Sequence, residues 1–358
     1  MNSLPKNRHA QHPSVTGTLT VATCNVLNLA RPHRMFYANQ EPYSQSEYER
    51  KIKWLGERFA DINADIVAVQ EIWDESAIKA AIKSSGLRYD FIKAPGTEHT
   101  DAQGHPLPEE TSGAQGTPRV GIIGRLPVLA AQSHADIPLA MQAHVPEIGV
   151  HTRFERPPLM VTFRLKNGHP LHVLTAHMKS KRPKFLQDDK GNYLEDKDDP
   201  KILARAGLRS LIIRGIEAAA LRAIVLDAIA GRKNRGEALI MLGDFNDSPH
   251  SVTTQLIAAT HEVAYERAAS DIALFNAYDL QSQNGLRRDV AYSHVYQGYP
   301  EVLDQIFVSE EFVSSSKFAM GDVARVDYFN DHLHQGKSRD KSDHGFVRAV
   351  LRLYDTGL

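Results

Sequence analysis

The feature that most limits what this chain can fold into is a series of short apolar runs, each stopping at a polar residue. Residues 18–24, 66–69, 120–123, 159–165, 171–176, 238–242, 305–308 and 346–353 are of strand length and are bounded by polar or turn-forming residues. Runs of that kind read as buried strands. Helical spacing falls between them. Tyr48, Ile52, Leu55 and Phe59 sit three or four apart behind a cap expected at Ser46, and a second stretch, 202–230, is rich in Ala, Leu and Arg. Many strands interleaved with helices and no repeat period select an α/β layered fold over a bundle or a solenoid.

A chain of 358 residues is long enough for two cores. Three polar stretches interrupt the pattern, at 95–118, 179–200 and 327–342, and none has the character of a linker between independent cores. The expected organisation is therefore an N-terminal tail over 1–17 and one domain over 18–358, with a charged, helical excursion at about 179–235. The formal net charge of −1 excludes a surface that binds polyanions everywhere, so any phosphate recognition has to be local. A single cysteine, Cys24, excludes a disulfide scaffold and a zinc–thiolate site. Residues 1–15 carry Lys6, Arg8, His9 and Pro13 without an apolar stretch, and no later run reaches the length of a membrane span. The expectation is a cytoplasmic protein with no transmembrane segment.

Chemistry gathers where the apolar runs stop. Asn25 follows the first run, Glu71 the second, His177 the run at 171–176 and Asp244 the run at 238–242, while Asp343 and His344 precede the last. If that last strand is antiparallel to the others, its start lies at the same edge as their ends, and all six groups line one cleft. Glu71, Asp244 and Asp343 would then repel one another unless a cation neutralises them, and carboxylate and amide oxygens suit hard Mg²⁺ or Mn²⁺. Singly, each residue has an ordinary structural reading. Asn25 could form a turn, His177 could be a satisfied core histidine, Gly243-Asp-Phe-Asn246 could cap a helix near Ser248, and Ser342-Asp-His344 could be a turn. Their joint occurrence in this order is what carries the functional reading.

The ordered set Asn25-Val26, Gln70-Glu71, Thr175-Ala-His177, Gly243-Asp-Phe-Asn246, Leu303-Asp304 with Phe307-Val-Ser309, and Ser342-Asp-His344 resembles the endonuclease/exonuclease/phosphatase superfamily over residues 18–353. The resemblance implies a four-layer α/β sandwich, two packed mixed sheets flanked by helices, with the site at one end of the sheets. It also implies a Mg²⁺- or Mn²⁺-dependent phosphodiesterase that attacks with an activated water. By the same resemblance Glu71 is the principal metal ligand, supported by Asn25 and Asp343. Asp244 orients or deprotonates the water, and Asn246 holds the phosphate or a second metal. His344, fixed by Asp304, serves a phosphate oxygen, and His177 approaches from the opposite side. One departure stands out: Val26-Leu27-Asn28 follows Asn25 where apurinic endonucleases place an acidic residue two positions on. Repair of abasic sites is thus a secondary expectation.

The substrate is less constrained. Lys179, Lys181, Arg182 and Lys184 suggest a cationic border to the cleft, with Lys179 a candidate phosphate contact. Arg209 is a second candidate, placed in the helical stretch. Tyr292, His294, Tyr296 and Tyr299 are candidates to stack a base or sugar, and His332 and His334 to bind metal. Nucleic acid is the leading expected substrate and a nuclease the leading activity. A small-molecule phosphatase or a sphingomyelinase-like phospholipid phosphodiesterase is the alternative, with a small phosphate ester as its substrate.

Overall fold

The computed structural model describes residues 14–37, 40–97, 117–188, 191–230, 236–263, 265–281, 289–336 and 338–355. Most of the polar stretch at 95–118 lies outside them. Sixteen strands are described: β1 (Val15–Leu29), β2 (Ile66–Ile72), β3 (Phe91–Lys93), β4 (Arg119–Gly124), β5 (Val128–Ser133), β6 (Ala143–Val145), β7 (Gly149–His151), β8 (Leu159–Arg164), β9 (Pro170–His177), β10 (Ala238–Asp244), β11 (Leu274–Asn276), β12 (His294–Tyr296), β13 (Tyr299–Glu301), β14 (Asp304–Ser309), β15 (Gly321–Phe329) and β16 (Phe346–Tyr354). The helices are α1 (Gln45–Ile62), α2 (Glu75–Ser85), α3 (Pro200–Ile229), α4 (Val252–Ala258), α5 (Thr260–Val263) and α6 (Ala277–Leu280). None is long and apolar enough to cross a membrane.

Twelve strands form two six-stranded sheets, ordered β15-β16-β1-β2-β4-β3 and β11-β14-β10-β9-β8-β5. Each is built around one parallel pair, β1–β2 or β9–β10, flanked by antiparallel neighbours. The strands alternate with period two. Leu19, Val21, Ile66, Ala68, Val173, Ile240, Leu242, Ile306, Val347 and Ala349 fill the space between the sheets. The intervening Ala22, Cys24, Val67 and Val69 face α1 and α2, and Leu174, Ala176, Leu239 and Met241 face α3 and α4. Both faces are buried, which is why the strands read as nearly continuous apolar runs. Helices, sheet, sheet and helices make the expected four-layer α/β sandwich of two mixed sheets.

Several local expectations are corrected. The cap of α1 is Ser44, not Ser46: its side chain accepts from Glu47 N and Glu47 returns a carboxylate to Ser44 N, a reciprocal box that Ser46 lacks. Helix α3 starts at Pro200 behind Asp199, whose side chain accepts from Lys201 N and Ile202 N. The polar stretch at 327–342 begins inside a strand, since Asp327 belongs to β15. That strand is an edge, and its charges pair with β16 through Asp327–Arg348 and Asp322–Arg352, so it carried too little apolar signal to be read as a strand.

Candidate active site

Near one end of the sandwich the space between the sheets turns polar. Thr23, Gln70 and Thr175 continue the inward-facing positions of β1, β2 and β9, and they bridge the layers: Thr23 Oγ1 donates to Gln70 Oε1 at 3.1 Å and Gln70 Nε2 to Thr175 Oγ1 at 3.1 Å. One step further lie Asn25, His177, Asp244 and Asp304, the last inward positions of β1, β9, β10 and β14. Their chemistry thus faces into a cleft because the alternation that builds the core runs on past it.

Glu71 reaches the cleft differently. Val69 and Ile72 both face the outer helices, so the chain between them bulges, the β2 register shifts there, and Glu71 takes φ 65°. A left-handed conformation at a non-glycine residue is strain that surrounding structure has to hold. Here Asn28 N donates to Glu71 Oε2 at 3.0 Å and Asn25 Nδ2 to Glu71 Oε1 at 3.1 Å. On the other sheet, Gly243 permits β10 to lie against β9: a Cβ there would sit 2.0 Å from the Ala176 carbonyl oxygen.

The groups converge as follows. Asn25 Nδ2 also donates to Asp244 Oδ2 at 3.0 Å, so one amide bridges two carboxylates from different sheets. Asp244 Oδ1 accepts from Asn246 N at 2.8 Å, and Asn246 Nδ2 donates to Met178 O at 3.0 Å. His344 Nδ1 is 2.7 Å from Asp304 Oδ2, its Nε2 is 3.9 Å from Asp244 Oδ2, and His177 Nε2 is 3.4 Å from the same oxygen. Ser342 ties this end together, donating to Asn25 O at 2.6 Å while accepting from His344 N at 3.0 Å.

Electrostatics separates the two histidines. Burial opposes a charge on His344, but the Asp304 and Asp244 carboxylates outweigh it and hold its pKa well above the usual value. Burial, reinforced by the Arg156 guanidinium, pushes His177 well below. The cleft therefore favours the charged ring at His344 and the neutral ring at His177. Asp244 is pushed up to about 6, chiefly by burial, and Glu71 is raised by burial and then by Asp343. Asp304 Oδ1 is buried without a hydrogen-bond partner.

This donor set fits a hard divalent cation. Glu71, Asp244, Asp304 and Asp343 crowd their negative charge together, which adds to burial in raising the first two, and ligand atoms of Asp244, Asp304 and His344 lie within 4.8 Å of one another. Asn25 does not present its oxygen as expected: Oδ1 accepts from Leu27 N at 3.1 Å, which turns the NH₂ group towards the carboxylates. Its NH₂ group bridges Glu71 and Asp244.

Other expectations are corrected. Arg209 contacts no phosphate position, because it is fully buried and its guanidinium donates to Glu147, Glu195, Pro146 O and Lys184 O. Lys179 is buried too, with Nζ turned to Ser180 O and Arg182 O at 3.2 Å each and its pKa lowered to about 8, mainly by burial. Lys184 pairs with Glu155 at 2.8 Å, and Lys181 lies between Asp247 and Glu301, leaving Arg182 without an ion pair among the described residues. His332 is no metal ligand in this arrangement: its Nε2 lies 2.9 Å from His344 O and its ring packs edge-on against Trp54, while His334 meets Tyr292.

Three residues at the site escaped the sequence analysis. Arg156 donates to His177 O at 2.9 Å and to Met178 O. Glu217 of α3 accepts from Lys179 N at 2.7 Å and Glu155 N at 3.2 Å. Lys51 of α1 is fully buried beneath Tyr43, donates to Arg339 O at 3.3 Å, and feels both Asp343 and Glu71. Lys51 alone had a usable signal, as a lysine among the apolar positions Tyr48, Ile52 and Leu55.

The profile of the Endonuclease/Exonuclease/phosphatase family matches residues 22–344. The chain belongs to that family. No curated protein matches the sequence significantly. Among solved structures, an endonuclease/exonuclease/phosphatase family protein from Bacteroides thetaiotaomicron is similar with a TM-score of 0.55 at 14% identity, over 96% of this chain and 98% of that one. D. rerio TDP2 complexed with a single-strand DNA product gives 0.50 at 14% identity over 94% and 99%, and the mannosyl-6-phosphatase of Bacteroides thetaiotaomicron VPI-5482 gives 0.51 at 14% over 93% and 99%. At these identities the family's fold is what the structures share with this chain; the family itself is one of phosphoester hydrolases.

Proposed function

We propose that this member of the Endonuclease/Exonuclease/phosphatase family is a Mg²⁺- or Mn²⁺-dependent phosphodiesterase acting on nucleic acid. The observation that carries the reading is the placement of the 2.7 Å His344–Asp304 pair next to an Asp244 carboxylate that is bridged through Asn25 to Glu71. Glu71 and Asp343 would hold the cation, which when bound polarises a phosphoryl oxygen and neutralises the crowded carboxylates. Asp244, with its raised pKa, is suited to take a proton from the attacking water and to orient it. His344, charged and fixed by Asp304, donates to a phosphoryl oxygen as charge builds there, and neutral His177 donates from the opposite side. Asn246, anchored on Met178 O, leaves its amide oxygen and one N–H for the phosphate or its metal. Arg156 fixes the His177 backbone. The exposed Arg182 and half-exposed Lys181 border the cleft where a polyanion would continue. A zebrafish relative captured with a single-strand DNA product is consistent with that substrate class.

A small phosphate ester is the second reading, favoured by one observation: most cations at the border are already paired, Lys181 with Asp247 and Glu301 and Lys184 with Glu155. Hydrolysis of plasmid DNA, single-stranded RNA, sphingomyelin and bis-p-nitrophenyl phosphate, each with Mg²⁺, with Mn²⁺ and with excess EDTA, separates them. Metal-dependent nucleic-acid cleavage that is lost in Asp244→Ala is the expected outcome. Turnover of only the lipid or the small ester would replace the nuclease by the alternative, and activity that survives EDTA would remove the metal.

A further inference from the structure

We infer that the β12–β13 hairpin is a stacking platform for an unpaired nucleobase next to the scissile phosphate, an inference that rests on the nuclease reading and narrows it to single-stranded nucleic acid. The hairpin is rooted in the site: His294 bridges His344 through the backbone, Gly345 N donates to Ser293 O at 2.7 Å, and Ser293 Oγ accepts from Asp304 N at 2.9 Å. Its two-residue turn, Gln297-Gly298, has φ of 49° and 86°, the left-handed pair that a tight hairpin needs.

Register decides what its faces carry. His294 pairs with Glu301 and Tyr296 with Tyr299, so by cross-strand and two-residue alternation these four side chains share one face. At the base, the His294 ring lies 5.1 Å from the His344 ring, and Glu301 lies 3.6 Å from Lys181 Nζ. About 7 Å further along the strand comes the tyrosine pair. Tyr296 is 56% exposed and Tyr299 75% exposed, and neither stacks on another ring among the described residues. Two exposed aromatic rings on a short arm give a π surface that no ring among the described residues covers. The face continues from the His294 ring that packs beside His344, so a strand whose phosphate meets His344 can run along it, and base stacking on aromatic rings tolerates any sequence. A phospholipid head group such as phosphocholine has no planar ring to place there, and a sugar offers C–H faces rather than the π face that a base offers.

The test uses the full chain and a labelled single-stranded oligonucleotide beside the same strand made of abasic spacers, followed by fluorescence anisotropy in EDTA and by hydrolysis with Mg²⁺. The wild type is expected to bind the base-bearing strand about tenfold more tightly than the base-free one. The double variant Tyr296→Ala/Tyr299→Ala should lose that preference and raise KM for the oligonucleotide with kcat little changed. Tyr296→Phe/Tyr299→Phe should keep it, and hydrolysis of the abasic-spacer strand, which offers no ring to stack, should be the same in all three. A wild type that cuts the oligonucleotide while the alanine variant keeps the base preference overturns the platform and leaves the nuclease standing. A wild type that hydrolyses the small ester but neither binds nor cuts either strand overturns both.

Discussion

In the first sheet the parallel pair β1–β2 ends on Asn25 and Glu71; in the second the parallel pair β9–β10 ends on His177 and Asp244. The plan is repeated, yet the two ends are made in different ways. Glu71 enters the cleft through a bulge and a left-handed backbone, held by Asn25 and the Asn28 N–H, with the buried Lys51 behind it. Asp244 enters by plain alternation, made possible by Gly243 lying on the Ala176 carbonyl, with the charged Arg156 and the long helix α3 behind its neighbour His177. The first end gathers oxygen atoms and strain. The second gathers two histidines and a carboxylate on regular strands. On the function proposed above, the first side would hold the cation and the second would handle the proton.

The largest expected effect tests that division. Asp244→Asn should lower kcat on the order of 10²–10³-fold at every Mg²⁺ concentration. Glu71→Gln should instead shift the Mg²⁺ dependence, so that added metal restores part of the activity. Titration of kcat against Mg²⁺ in both variants decides it, and equal recovery in the two would collapse the comparison.

Next in size is the scaffold behind the second end. Arg209→Ala removes a buried guanidinium and its charge-assisted hydrogen bonds and should cost about 2–3 kcal/mol of stability, read from urea unfolding, while kcat at low temperature stays near wild type. A large drop in kcat would restore Arg209 as a substrate contact. Smaller again is the close approach of β10 to β9. Gly243→Ala should cost about 1–3 kcal/mol, because its Cβ meets backbone that cannot yield. Gly207→Ala on α3, where nothing lies within 4 Å, should gain about 0.5–1 kcal/mol.

A last test probes the first end through pH. Lys51 has its pKa lowered to about 8, chiefly by burial. Between pH 8 and the ordinary lysine value near 10.4, the unfolded chain binds a proton that the folded one has released, so stability rises with pH across that window. Below it the buried charge costs the fold about 3 kcal/mol. Measured as the unfolding free energy of wild type minus Lys51→Met, the difference should rise from pH 8 to 10. A flat difference would mean that Asp343 and Glu71 hold the ammonium charged throughout.

Much of this molecule was legible in its sequence. Each apolar run became a strand, because a strand buried on both faces needs an unbroken run of apolar side chains. The polar residues that stop those runs are brought to one cleft because inward alternation continues past the core. Other features had no local cause. β15 is an edge strand whose charges are satisfied by β16, so it looked like a surface stretch. Arg209 and Lys179 looked like phosphate contacts because a cation's partner is invisible in sequence: Glu147 and Glu195 lie far along the chain from each other and close only in the fold.

The sequence by itself determined the α/β layering, the strand ends that carry chemistry and the order of groups that marks the family, since all three follow from local pattern and spacing. Only the tertiary structure decided which cations face solvent, which way the Asn25 amide turns, and that the surroundings favour a charge on His344 and oppose one on His177. Each of those depends on burial and on partners brought from distant parts of the chain, and electrostatic energy is set by distance in space.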